Sequence, residues 1–219
     1  MQPLAKLEPG RDLMADTKRI GVDLDNTLIN YDGVFRAFAR ERGLIDAGFA
    51  GGKDDVREAV RALPDGELAW QRLQGVVYGK GVRQAVLFDG ADAFLCRARD
   101  IGCEVIIVSH KTEFGHYDPD RVNLRDAARE WMETQGFFRK DGFAISNKNV
   151  MFAATRSEKI AAICELGLRF FIDDLPEVLE DIGFPATVSG ILFTRGTDTP
   201  NSYPRALAHW REIAEMVFP

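Results

Sequence analysis

The 219-residue sequence is poor in cysteine, in histidine, in long apolar runs and in excess positive charge, and each shortage excludes a class of function. Its three cysteines, Cys96, Cys103 and Cys164, form no CxxC pair and share no metal-ligand spacing with the three histidines. Neither a disulfide framework nor a zinc site is expected from them, and core thiols in a reducing compartment are the simplest reading. No stretch has the length and apolarity of a membrane span, and residues 1–18 mix proline, glycine and charge without the apolar centre of a secretory leader. These residues read as a tail, and the chain is expected in the cytoplasm. Lys and Arg number 28 against 34 Asp and Glu, a net charge of −6, which argues against nucleic acid or a membrane surface as partner and suits a small charged ligand. GxGxxG, GxxxxGK[ST] and GxSxG patterns are all missing, so the glycine loops of dinucleotide and P-loop sites and the hydrolase nucleophile elbow are not expected.

What is present is a globular composition, 46% apolar and 28% charged, sufficient for a sizeable core. From Arg19 onward, short β-branched runs at 19–25, 104–109, 149–154, 169–174 and 187–193 alternate with helical periods at 91–101, 122–135, 157–166 and 176–182. Most of these runs are apolar on both faces, as strands of a parallel sheet covered by helices must be. The fold class expected is α/β. Residues 31–80 break the alternation with helix-like pieces at 34–42, 54–63 and 67–77, joined by glycines, and read as an all-helical insert after the first strand. Residues 19–30 and 81–219 then form the core domain. A closing helix is expected after Asn201 and Ser202, with Pro204 near its first turn.

Chemistry-bearing residues collect where these strands end. Asp23, Asp25 and Thr27 follow the first apolar run, and strand alternation sets the two carboxylates on one side unless the chain bends between them. Two like charges together call for a cation or a shared proton; otherwise the cluster is a set of turn formers. Ser109 ends the second run, where a hydroxyl can donate to an oxyanion or serve an ordinary turn. Lys159 stands at a helix start, against the helix dipole, as a cation answering an anion or as a solvated surface residue. Asp173 and Asp174 end the fourth run and supply hard oxygen ligands, although one of them could cap the helix opening at Pro176. The polar loop after Ser109 carries Lys111, His116 and Tyr117, candidates for substrate contact.

Over residues 19–193 this order of motifs resembles the haloacid dehalogenase superfamily of mostly Mg2+-dependent phosphohydrolases on a Rossmann-like fold. Asp23, Asp25 and Thr27 match its first motif, Ser109 the second, Lys159 the third, and Asp173 with Asp174 the fourth, while the insert lies where members with a helical cap carry it. The resemblance implies a Rossmann-like parallel sheet with a small helical cap, and hydrolysis of a small phosphorylated metabolite. Asp23 is then the nucleophile that forms an aspartyl-phosphate, Asp25 the acid and base, and Ser109 and Lys159 the phosphate ligands, with Thr27 in support. The implied cofactor is Mg2+, with Asp23, Asp25, Asp173 and Asp174 as candidate ligands. Asp173 is expected to ligate directly, and Asp174 to act through water or to orient Lys159. Dehalogenase members lack the second acid, so Asp25 favours phosphate esters. The fourth motif departs from the family in reading DDLPE, which leaves open whether Glu177 substitutes for a third Asp. A phosphoryl transferase or mutase with the same nucleophile is the alternative, ahead of a non-catalytic binding protein.

Overall fold

The structure, a computed structural model, describes residues 19–118, 120–196 and 203–219; the tail expected at 1–18 lies outside the described residues. In chain order the elements are β1 (Arg19–Val22), β2 (Ile29–Asn30), α1 (Asp32–Glu41), α2 (Lys53–Arg61), α3 (Gly66–Tyr78), β3 (Val86–Leu87), α4 (Ala91–Asp100) and β4 (Glu104–His110). They continue as α5 (Leu124–Thr134), β5 (Val150–Ala153), α6 (Arg156–Glu165), β6 (Phe170–Asp173), α7 (Pro176–Leu179), β7 (Ser189–Phe193), β8 (Ala206–Leu207) and α8 (Trp210–Val217).

The doubly apolar runs assemble as expected, into a six-stranded sheet of order β5-β4-β1-β6-β7-β8 whose neighbours are all parallel. Helices cover both faces, and buried side chains such as Ile20, Val22, Ile107 and Ile172 on one face and Ile106, Val108 and Phe171 on the other exclude water from the sheet. Register sets Val22 of β1 opposite Ile107 of β4 and Ile172 of β6, so these three strands end side by side. From β1 the strand order runs outward in one direction through β4 and β5 and in the other through β6 and β7. The crevice at such a reversal is where parallel α/β sheets bind ligands.

Residues 32–84 form α1, α2, α3 and a short 3-10 turn, without a strand. Their own core is aromatic: Phe35 stacks on Trp70 with ring centroids 5.0 Å apart, and Tyr31 meets Tyr78 edge-on at 4.9 Å. Two features here were not predicted. β2 and β3 pair antiparallel, Ile29 with Leu87, at the base of the helical segment. At two residues each, neither shows the alternation that marks a strand in sequence.

The C-terminal expectation needs correction. Residues 201–202 lie outside the described residues, and Pro204 precedes a strand instead of opening a helix. β8 extends the sheet edge beside Leu192 and Phe193, and α8 begins at Trp210. Glu212 fixes that start, its carboxylate accepting from the backbone N–H groups of Ala208 and His209 at 3.0 and 3.1 Å.

Candidate active site

Asp23 is the first residue past β1, and its N–H continues the ladder by donating to the Ile172 carbonyl at 2.9 Å. The chain then turns sharply. Leu28 and Ile29 N–H both donate to the Leu24 carbonyl, at 3.0 and 2.9 Å, and Asn26 adopts φ 62°, a left-handed conformation that asparagine tolerates. This is the bend between Asp23 and Asp25, and it sends the two carboxylates to different partners.

Lys159 answers the first of them. Thr155 caps α6, its hydroxyl accepting from Glu158 N–H at 3.2 Å, and the Glu158 carboxylate accepts from Ala154 N–H, one residue before the cap, at 2.7 Å. Lys159 in that first turn is 1% exposed, with Nζ 2.6 Å from Asp23 Oδ1 and 2.7 Å from Asp173 Oδ2. Burial opposes its charge, but Asp23 and Asp173 outweigh burial and hold its pKa above the ordinary lysine value.

The carboxylates respond in the opposite sense. Burial pushes the Asp23 carboxyl up to about 6 against the pull of Lys159, with the neighbouring charges of Asp173 and Asp25 adding to the rise. Asp174 is likewise pushed to about 6, by burial first and by Asp23 second, and burial raises Asp173. Ligand oxygens of Asp23, Asp173 and Asp174 lie within 4.8 Å of one another. Lys159 alone does not balance the two buried carboxylates of Asp23 and Asp173, and with the half-buried Asp174 beside them the concentration of hard oxygen donors fits a divalent cation.

The geometry corrects two expectations about this shell and answers the open question of Glu177. Asp25 is not in the cluster: its Oδ1 accepts from the Tyr31 hydroxyl at 2.8 Å, and its Oδ2 lies 2.6 Å from Lys111 Nζ. Of the paired acids it is Asp173, not Asp174, that orients Lys159, and both stand in the cluster. Asp173, fully buried, gives one oxygen to Lys159 and the other to the Leu175 N–H at 3.0 Å, whereas Asp174 faces the cavity. Glu177 is exposed on α7 and stands outside the cluster, so it does not replace a third Asp.

Ser109 lies in β4 with 1% of its surface exposed, and its Oγ is the one buried side-chain polar atom without a hydrogen-bond partner among the described residues. It lines a cavity of about 350 Å³ together with Asp23, Asp25, Asp174 and Lys159. Thr27 is buried beneath, its hydroxyl 3.4 Å from Asp174 Oδ1, long for a hydrogen bond, and its carbonyl accepts from Trp210 Nε1 at 3.2 Å. Of the three loop residues expected to touch substrate, His116 lines the cavity. Lys111 lines it too but is committed to Asp25, and Tyr117 is 60% exposed and stands apart from it.

Sequence reading missed the other side of the cavity, formed by Lys53 at the start of α2 and by Gln71, Gln74 and Tyr78 of α3. Those three recur on one face of α3, opposite the buried Leu73 and Val77, a polar stripe that helical period alone could have marked. α3 approaches closely because two glycines meet: a Cβ on Gly115 would stand 2.7 Å from Gly75 Cα.

No protein-family model matches this chain, and no curated protein matches it in sequence. Solved structures match over nearly its whole length. Protein Tyrosine Kinase A from Mycobacterium tuberculosis is 18% identical with a TM-score of 0.61, over 93% of this chain and 99% of that one. A haloacid dehalogenase-like hydrolase from Streptococcus pneumoniae is 14% identical with a TM-score of 0.57, over 92% and 99%. A magnesium-bound HAD-hydrolase from Bacillus subtilis is 10% identical, also with a TM-score of 0.57 over 92% and 99%. The chain has the haloacid dehalogenase-like α/β fold.

Proposed function

We propose that this protein is a divalent-cation-dependent phosphomonoester hydrolase of small phosphorylated metabolites, working through an aspartyl-phosphate on Asp23. The observation that carries the reading is Asp25, a second carboxylate lining the same cavity as Asp23 and held by Tyr31 and Lys111. A halide leaves without a proton; an alkoxide does not.

Lys159 holds Asp23 Oδ1, leaving Oδ2 to attack phosphorus. As that bond forms, the phosphorus–oxygen bond to the leaving group breaks and Asp25 gives its proton to the departing alkoxide. Asp25, now a carboxylate, takes a proton from water; the resulting hydroxide attacks the aspartyl-phosphate, releasing phosphate and restoring Asp23. The unpartnered Ser109 hydroxyl donates to a phosphoryl oxygen, and Lys159 lends its charge. Asp23, Asp173 and Asp174 are the residues that hold the cation, for which Mg2+ suits the oxygen donors. When bound it offsets repulsion between a phosphate dianion and the attacking carboxylate. The helical segment at 32–84 serves as a cap that excludes bulk water and macromolecular substrates.

The test is phosphate release from a panel of phosphorylated metabolites, with Mg2+ and with chelator. Release that requires Mg2+ is expected. Failure to hydrolyse any phosphomonoester in Mg2+, or full activity in chelator, contradicts the proposal, and phosphate appearing on an added alcohol instead of in solution identifies a transferase.

A further inference from the structure

Asp25 is gripped at both oxygens, by the Tyr31 hydroxyl at 2.8 Å and by the Lys111 ammonium at 2.6 Å, and among the described residues one aromatic ring meets both of these groups. It belongs to Tyr78, the last residue of α3. The Tyr31 and Tyr78 rings form a T-shaped pair, with centroids 4.9 Å apart and planes at 85°. Lys111 Nζ lies over the Tyr78 ring, 5.4 Å from its centroid. A T-shaped aromatic pair and an ammonium over a ring face are both attractive arrangements.

Both holders of Asp25 depend on a backing at their functional ends. The Lys111 backbone is secured, its N–H donating to the Ala153 carbonyl at 2.9 Å and its carbonyl accepting from Arg125 Nε at 3.0 Å. A flexible side chain separates that anchor from the ammonium, whose one carboxylate partner among the described residues is Asp25. Tyr31 stands just before α1, and of the rings around it Phe35 is farther off, at 6.4 Å, than Tyr78. Without the Tyr78 ring, Lys111 gains room to turn from Asp25 and Tyr31 loses its nearest aromatic neighbour. Tyr78 also meets Phe35 at 5.6 Å in the aromatic core, a place that any large apolar side chain could fill, but a ring face beneath an ammonium requires an aromatic residue. α3 itself is seated by the close approach of Gly75 to Gly115, so the helical segment delivers this ring to a carboxylate of the core domain.

We infer that Tyr78 is a positioning residue for the acid–base: its ring backs Tyr31 and Lys111, which in turn fix the two oxygens of Asp25 in the orientation that proton delivery requires. The inference rests on the phosphomonoesterase reading, which gives Asp25 a proton to deliver. It adds a residue of the helical segment that acts on the chemistry through two others.

Phenyl phosphate and nitrophenyl phosphate separate this role from a loss of packing. Nitrophenolate leaves without a proton, whereas phenolate, the stronger base, draws on the proton of Asp25. kcat/KM covers the chemistry up to departure of the leaving group. Tyr78→Leu is expected to lower kcat/KM in Mg2+ for phenyl phosphate at least tenfold more than for nitrophenyl phosphate, and Tyr78→Phe, which keeps the ring, to hold the parent's ratio of the two constants. Tyr78→Met replaces the leucine variant should the latter fold poorly by circular dichroism. Nuclear magnetic relaxation of the lysine ammonium nitrogens follows Lys111 without turnover, its signal being the one lost in Lys111→Met. That signal should lose order in Tyr78→Leu and keep it in Tyr78→Phe. An equal loss on both esters, or a Lys111 ammonium as ordered in Tyr78→Leu as in the parent, overturns the role of Tyr78 and leaves the phosphomonoesterase reading standing. No hydrolysis of any phosphomonoester by the parent in Mg2+ overturns both.

Discussion

The Lys111 ammonium lies 2.6 Å from Asp25 Oδ2 while the Tyr31 hydroxyl holds Oδ1, so the proposed acid–base is fixed at both oxygens. Lys111 is therefore a positioning residue. Lys111→Met is expected to lower kcat by about 10²-fold, within the range ascribed to positioned proton transfer, with little change in KM. Asp25→Asn should show one equivalent of nitrophenol released quickly from nitrophenyl phosphate, which needs no protonation to leave, followed by slow turnover. A steady rate without a burst contradicts the role given to Asp25.

Lys159 pairs with two buried carboxylates at once. Lys159→Met leaves them uncompensated, and breaking a buried pair costs about 3–5 kcal/mol. Urea denaturation should show a loss of this order, partly recovered in Mg2+ because a cation bound by the folded state alone stabilises it. A change below about 1 kcal/mol would mean that the cluster does not depend on the lysine.

Much of this site was legible in sequence because strand ends are marked. Runs such as 104–109 and 169–174 are apolar, short and finished by polar residues, and a parallel sheet brings those ends together. The roles of Asp173 and Asp174 were not legible. Neighbours at a strand end point to opposite sides, and nothing in the sequence states which side holds the cavity. Lys53, Gln71 and Gln74 were missed for another reason: helical period marks Gln71 and Gln74 as a polar stripe on α3, but that this stripe and Lys53 face the site follows from the packing of the helical segment, which no local pattern encodes. β8 escaped because Ala206 and Leu207 gain strand character only from the β7 edge.

Gly115 and Gly75 touch backbone to backbone, so Gly115→Ala cannot be absorbed by a side-chain rotation. The helix α3 must move away, carrying Gln71 and Gln74. Overpacking of this kind costs about 1–3 kcal/mol. Thermal melting should record the loss, and KM for the best metabolite should rise more than that for nitrophenyl phosphate; unchanged values for both contradict the close approach.

Burial pushes the Cys103 thiol up to about 11, with Glu104 adding to the rise, whereas Cys164 is exposed. Thiolate is the reactive form, so at pH 8 iodoacetamide should label Cys164 and spare Cys103 until the chain is unfolded. Its thiolate fraction should grow about tenfold per pH unit up to that value. Mass spectrometry of the labelled peptides checks this, and equal labelling in the folded protein contradicts it.

The most direct test of the account is whether Asp23 carries phosphate. The Asp25→Asn variant, mixed with nitrophenyl phosphate and Mg2+ and quenched in acid, should yield a peptide spanning Asp23 heavier by one phosphoryl group. The same peptide from Asp23→Asn should be unmodified. Phosphate release by the parent protein with no phosphoryl group ever found on Asp23 would contradict the nucleophile, and with it the mechanism.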